Sequence, residues 1–196
     1  MADSTSTIFP TPSRQRRTVC VYCGSSETTR PEYHALATRL GEEMAQRGVR
    51  LVYGGGSIGL MGRCARAAHA AGGDVLGVMP RFLEKKEIVL KDVPHRMVDT
   101  MHERKRIMFE ESDGFIVLPG GIGTLEEAVE TLSWRRLELH AKPLVFLCED
   151  DFWDPFFHLI EHTIEANLTP RTFVDAVLKA NNVDDALDAI EARIPA

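Results

Sequence analysis

Residues 114–137 read GFIVLPGGIGTLEEAVETLSWRRL. The opening run, Gly114–Leu118, is short and apolar, which predicts a buried strand. Pro119-Gly120-Gly121-Ile122-Gly123 has the small residues of a tight turn. From Thr124 to Leu137 the pattern turns helical. A strand that runs through a glycine-rich turn into a helix is the building unit of a parallel α/β sheet. Backbone amides at such a helix start, aimed by the helix dipole, attract an anion, and glycine leaves no side chain to hold it away.

The same unit recurs on both sides of this stretch. Apolar runs predict strands at Thr18–Cys23, Arg50–Tyr53, Val75–Met79, Arg96–Val98, Leu144–Leu147 and Ala176–Lys179. Amphipathic stretches predict helices at Pro31–Arg47, Leu60–Ala71, Met101–Ser112, Pro155–Asn167 and Val183–Arg193. Short apolar runs alternating with helices imply a doubly wound, Rossmann-like parallel sheet with helices on both faces. A ligand site is then expected beyond the carboxyl ends of the strands, where the strand order reverses. Residues 1–16 are polar and read as a flexible N-terminal tail, and 17–196 as a single domain.

Composition narrows the function classes. The chain has 196 residues, 44% hydrophobic and 27% charged, with a formal net charge of −6. That length suits one globular domain with its own core. The acidic balance supplies no basic face for nucleic acid. No apolar run approaches the length of a membrane span, and the N-terminus has no apolar block of a secretory signal. Four cysteines, at 20, 23, 64 and 148, are too few and scattered for a disulfide scaffold, so a reduced, cytoplasmic protein is expected.

Three strand ends are rich in small residues: Gly24-Ser25-Ser26, Gly54-Gly55-Gly56-Ser57-Ile58-Gly59, and Pro119–Thr124. On one sheet edge they would suit a phosphate-bearing ligand. Gly54-x-Gly56-x-x-Gly59 also matches a dinucleotide fingerprint. That reading needs an acidic residue closing the next strand, and Asp74 opens it instead. An NAD(P)-binding enzyme is therefore the alternative, beside a non-catalytic nucleotide-binding protein.

Pro119-Gly120-Gly121-Ile122-Gly123-Thr124-Leu125-Glu126-Glu127 resembles the PGGxGTxxE signature of the LOG family, the cytokinin riboside 5′-monophosphate phosphoribohydrolases. Tyr53-Gly54-Gly55-Gly56 with Gly59-Leu60-Met61-Gly62 is similar to the family's first glycine loop. Met101-His102-Glu103-Arg104-Lys105 is similar to its arginine–lysine helix, and Trp134, Leu137 and His140 to its tryptophan segment. The resemblance runs from about Val19 to Phe157. It implies hydrolysis of the N-glycosidic bond of an N6-modified AMP to the free base and ribose 5-phosphate. It also implies a Rossmann-like homodimer, a small-molecule nucleotide as partner, and no metal or redox cofactor. Proteins of this pattern are often labelled lysine decarboxylases, yet nothing here resembles a pyridoxal-phosphate lysine site. Where the family commonly reads WxQLGxH, this chain places Arg136 for the glutamine and Glu138 for the glycine.

The chemistry suits the residues. Breaking an N-glycosidic bond builds positive charge on the ribose, which a carboxylate stabilises while it aims or deprotonates water. Gly120, Gly121, Ile122, Gly123 and Thr124 are read as the phosphate anchor, with Leu125 beside them as a substrate-binding residue. Glu126 and Glu127 follow as candidate carboxylates. Arg104 and Lys105 can pair with phosphate or orient a glutamate. By resemblance Glu87 also touches the substrate.

Each motif has a plainer reading. Thr124-x-x-Glu127 matches a capping box, in which Glu127 would only close a helix end. Arg104 and Lys105 match a solvated helix face. Cys20-x-x-Cys23 lies on a predicted strand, where residues three apart face opposite ways. His158-x-x-Glu161-His162 has zinc-helix spacing but lacks a third ligand. Phe152, Trp153, Phe156 and Phe157 read as core or subunit interface rather than a base-stacking platform.

Overall fold

A computed structural model describes residues 17–84 and 88–194. The predicted tail, residues 1–16, and Glu87 lie outside them. Seven strands form one parallel sheet: β1 (Thr18–Tyr22), β2 (Arg50–Tyr53), β3 (Val75–Pro80), β4 (His95–Val98), β5 (Gly114–Val117), β6 (Leu144–Leu147) and β7 (Leu178–Ala180). Their spatial order is β4-β3-β2-β1-β5-β6-β7. The helices are α1 (Pro31–Gln46), α2 (Gly59–Ala70), α3 (Met101–Glu110), α4 (Ile122–Arg136), α5 (Asp154–Glu165) and α6 (Val183–Glu191). The doubly wound fold read from the sequence is the fold observed, with strand and helix ends within about two residues of expectation.

Burial explains why the pattern was legible. Every residue of β1, β5 and β6 is buried, because helices cover both faces of the central strands. Those strands therefore read as unbroken apolar runs. The edge strands β4 and β7 carry exposed Arg96 and Lys179 and are only partly buried. Phe146 of β6 collects Trp153, Phe156 and Phe157 at ring centroid distances of 5.0, 4.9 and 5.5 Å. Trp153 is buried, and Phe152, Phe156 and Phe157 are partly buried and packed against the core.

Strand order reverses between β1 and β5, which pair in register from Val19 with Gly114 to Tyr22 with Val117. To the β2 side the chain winds outward to β4. It then returns through α3 to β5 in the middle of the sheet. This long return carries Arg104 back to the point where the order reverses. Thr100 starts α3: its hydroxyl accepts a hydrogen bond from the Glu103 amide at 3.0 Å, and the Glu103 carboxylate accepts from the Asp99 amide at 3.0 Å. Such reciprocal caps hold a helix start in one geometry.

Candidate active site

The carboxyl ends of β1 and β5 open into a cavity of about 490 Å³. Two backbone bonds build its floor. The Gly24 amide donates to the Pro119 carbonyl at 3.1 Å, and the Leu60 amide donates to the Gly24 carbonyl at 3.0 Å. One wall is the turn from Pro119 into α4. A side chain on Gly120 would begin 2.1 Å from the Thr124 hydroxyl, so only glycine lets Thr124 fold back over the turn. Beside it, Cβ atoms on Gly121 or Gly123 would meet nothing within 4 Å. Their backbone faces open space, as an anion-binding helix start requires.

The structure corrects one local reading. Gly121, not Thr124, is the N-cap of α4, and no side chain caps it. Thr124 already lies inside the helix and is 3% exposed. Glu127 stands further along the helix, beyond the third helical position, and cannot act as the glutamate of a capping box.

Opposite α4 stands Arg104, only 6% exposed. Its Nη2 lies 3.8 Å from Oε1 of Glu127, whose side chain is 11% exposed. Among the described residues, another guanidinium nitrogen, Nη1, reaches only the Met101 sulfur at 3.8 Å, and the buried Nε has no hydrogen-bond partner. An opposed cation and carboxylate, both shielded from water and both lining one cavity, are the features of a site rather than of a solvated face. Glu126 lines the same cavity from its exposed rim and pairs with Lys105, which also binds Glu130 at 3.0 Å. Burial pulls the Lys105 ammonium down, but hydrogen bonds to Glu126 and Glu130 outweigh it, and its pKa rises.

Of the residues predicted for the site, Arg104, Gly120, Gly121, Ile122, Gly123, Thr124, Glu126 and Glu127 all line the cavity. Leu125 packs against the core instead, and Lys105 is turned to α4. Sequence reasoning missed Met61, Met101 and Phe152, which line the cavity too. They are apolar residues in the first turn of a helix (Met61, Met101) or in the loop after β6 (Phe152), and only that place distinguishes them from core. Cys23 is a further wall. Burial, then the neighbouring Cys64 and Glu127, push its thiol well above its usual range, so it is a neutral surface and not a nucleophile.

The glycine loop after β2 serves a different purpose from the one expected. The Gly59 amide, which opens α2, donates to the Glu27 carboxylate at 2.8 Å. Gly59 has φ +60, and a Cβ there would sit 2.4 Å from the Ser25 backbone. The helix start where a dinucleotide pyrophosphate would rest is thus occupied by the protein's own carboxylate and by the β1–α1 loop. Gly54–Gly59 does not line the cavity. The fingerprint therefore marks close packing of two loops and gives no support to the NAD(P) alternative.

His140 is structural. It accepts the Lys142 amide at Nδ1, 3.1 Å, and donates from Nε2 to the Thr131 carbonyl, 2.9 Å. Burial pulls its pKa down to about 4, so the ring is neutral near pH 7. It ties α4 to the approach to β6. His158, Glu161 and His162 are exposed along α5, and all four cysteines are free.

Comparison with known proteins agrees with this architecture. A family model described as possible lysine decarboxylase matches residues 61–190. The cytokinin riboside 5′-monophosphate phosphoribohydrolase LOG of Oryza sativa subsp. japonica is 41% identical over 184 residues, covering 93% of this chain and 76% of that one. LOG2 of Arabidopsis thaliana, of the same description, is 39% identical over 186 residues, covering 94% and 87%. Among solved structures, the molybdenum cofactor binding protein of Rippkaea orientalis superposes with a TM-score of 0.70 at 24% identity, covering 93% of this chain and all of that one. The molybdenum cofactor carrier protein of Chlamydomonas reinhardtii gives 0.69 at 22%, covering 91% and 98%. These two likenesses concern the fold alone. The identities to the plant enzymes, spread over most of both chains, place this chain in the LOG family of cytokinin riboside 5′-monophosphate phosphoribohydrolases.

Proposed function

We propose that the protein hydrolyses the N-glycosidic bond of adenosine 5′-monophosphates, N6-modified or plain, to the free base and ribose 5-phosphate. The observation that carries this reading is the buried Arg104–Glu127 pair at 3.8 Å, set in the same cavity as the glycine-rich turn Gly120–Thr124. The 5′-phosphate binds at the α4 start, and that remote binding energy sets the ribose against Glu127. As the bond from C1′ to the base nitrogen lengthens, the base leaves with the electron pair and positive charge spreads over the ribose ring. The Glu127 carboxylate stabilises that charge and takes a proton from the water that attacks C1′; that proton passes on to the departed base nitrogen, which leaves neutral free base, ribose 5-phosphate and the carboxylate restored. Arg104 orients Glu127 and offers its remaining donors to substrate oxygens. Relatives of about 40% identity that are named for this reaction support the assignment.

The reading extends to the whole protein. Residues 17–196 form one hydrolase domain, which works in the cytoplasm with its thiols reduced. It acts as a homodimer, with Ile122 and Val129 as an outward apolar stripe on α4 and Leu137 at its end, 84%, 48% and 57% exposed. Apolar residues grouped in this way mark a subunit contact.

The test is to incubate the purified chain with AMP and with isopentenyladenosine monophosphate and to separate the products. Release of equal amounts of base and ribose 5-phosphate is expected. A nucleotide that is bound and recovered intact would make the protein a carrier and end the hydrolase reading.

A further inference from the structure

Gly54, at the carboxyl end of β2, has no evident duty in binding. It is buried, yet it does not line the cavity. Its backbone does not demand glycine either, since the positive-φ glycines of the described residues are Gly48, Gly55, Gly59 and Gly72. What it lacks is room. A Cβ at Gly54 would lie 2.1 Å from Nη2 of Arg104, 3.2 Å from its Cζ and 3.1 Å from the Met61 sulfur. The close neighbours are thus side-chain tips, not backbone.

Arg104 needs such a seat because little else fixes it. A buried guanidinium normally finds several oxygen acceptors. Among the described residues Nε has none, Nη1 reaches only a thioether sulfur, and Nη2 stands 3.8 Å from Glu127, beyond hydrogen-bond length. Shape therefore positions the fork: the bare face of Gly54 on one side and the sulfurs of Met61 and Met101 beside it.

We infer that Gly54 is a positioning residue, the seat that presses the Arg104 guanidinium toward Glu127 and the ribose. This inference rests on the hydrolase reading for its consequence in turnover, but not for its structural content. The glycine loop after β2 contributes to the reaction through Arg104 rather than through phosphate. An alanine at 54 forces Nη2 away by about an ångström or more, which in a positioned site costs on the order of 100-fold in rate.

The test is a double-mutant cycle of Gly54→Ala and Arg104→Ala, read by thermal unfolding and by base release from AMP. Thermal coupling is the readout that does not depend on activity. Gly54→Ala alone is expected to lower Tm. In the Arg104→Ala background the same substitution is expected to cost little, because the methyl group enters vacated space. In turnover, Gly54→Ala should lower kcat about 100-fold while KM changes less than about threefold, since the phosphate anchor lies on another loop. Added to Arg104→Ala, it should cost no further activity. Equal Tm losses in both backgrounds, failure of both Gly54→Ala chains to fold, or a Gly54→Ala enzyme with unaltered kcat would each overturn the seat. Thermal coupling in a chain that releases no base would uphold the seat and remove the reaction.

Discussion

Glu126 and Glu127 are adjacent in sequence, and the α-helix points them about 100° apart. Glu126 has a side chain 51% exposed and is tied to Lys105 at the rim. Glu127 is turned inward beside Arg104. A carboxylate that must stabilise a ribosyl cation works best where water is scarce and the field of its charge is undiluted. We therefore expect Glu127→Gln to lower kcat by at least ~100-fold, the low end of general acid–base effects, with Tm nearly unchanged. Glu126→Gln should retain activity within about tenfold, because an exposed ion pair contributes little. Steady-state base release from AMP by both variants checks the assignment. Full activity in Glu127→Gln would exclude it. Spacing alone could not make this distinction. Thr124-x-x-Glu127 reads equally as a cap or as a site until the helix start is known, and that start depends on the chain beginning α4 at Ile122.

At the level of elements, α4 ends in a Schellman turn. The Leu139 amide donates to the Trp134 carbonyl and the Glu138 amide to the Arg135 carbonyl, both at 3.0 Å. Between them Glu138 holds φ +58, the left-handed conformation that suits glycine and costs other residues about 1–2 kcal/mol. This is the position where the family's tryptophan segment commonly has glycine. Glu138→Gly should therefore stabilise the fold, by about 0.5–1 kcal/mol once the added freedom of the unfolded chain is subtracted. A rise in Tm of a few degrees would show it, and a fall would mean that the Glu138 side chain contributes more than its strain. The elements themselves were legible because buried central strands leave continuous apolar runs. The glycine loops were only half legible. Gly121 and Gly123 face open space, Gly120 makes room for Thr124, and Gly54–Gly59 makes room for Arg104, Ser25 and Glu27. A glycine in a sequence announces that a side chain is missing but not what fills its place. Met61, Met101 and Phe152 were hidden for a related reason: an apolar cavity wall and an apolar core have the same composition.

Across the whole molecule, the order β4-β3-β2-β1-β5-β6-β7 concentrates function at one point. Strand order reverses at β1 and β5, loops diverge there, and α3 returns with Arg104. The apolar stripe on α4 starts at this same edge, so the proposed subunit contact would run close to the cavity mouth. Sedimentation equilibrium at micromolar concentration should give the mass of two chains, and Val129→Lys should shift it toward one. A wild-type chain that sediments as a monomer would refute the contact. The central claim is that the α4 start anchors a 5′-phosphate so that Glu127 meets the ribose. Its most direct test is kcat/KM for AMP against adenosine on the same preparation. The expected result is a nucleoside poorer by at least ~100-fold, because the lost phosphate contacts were spent on orientation. Comparable values for the two would contradict the account.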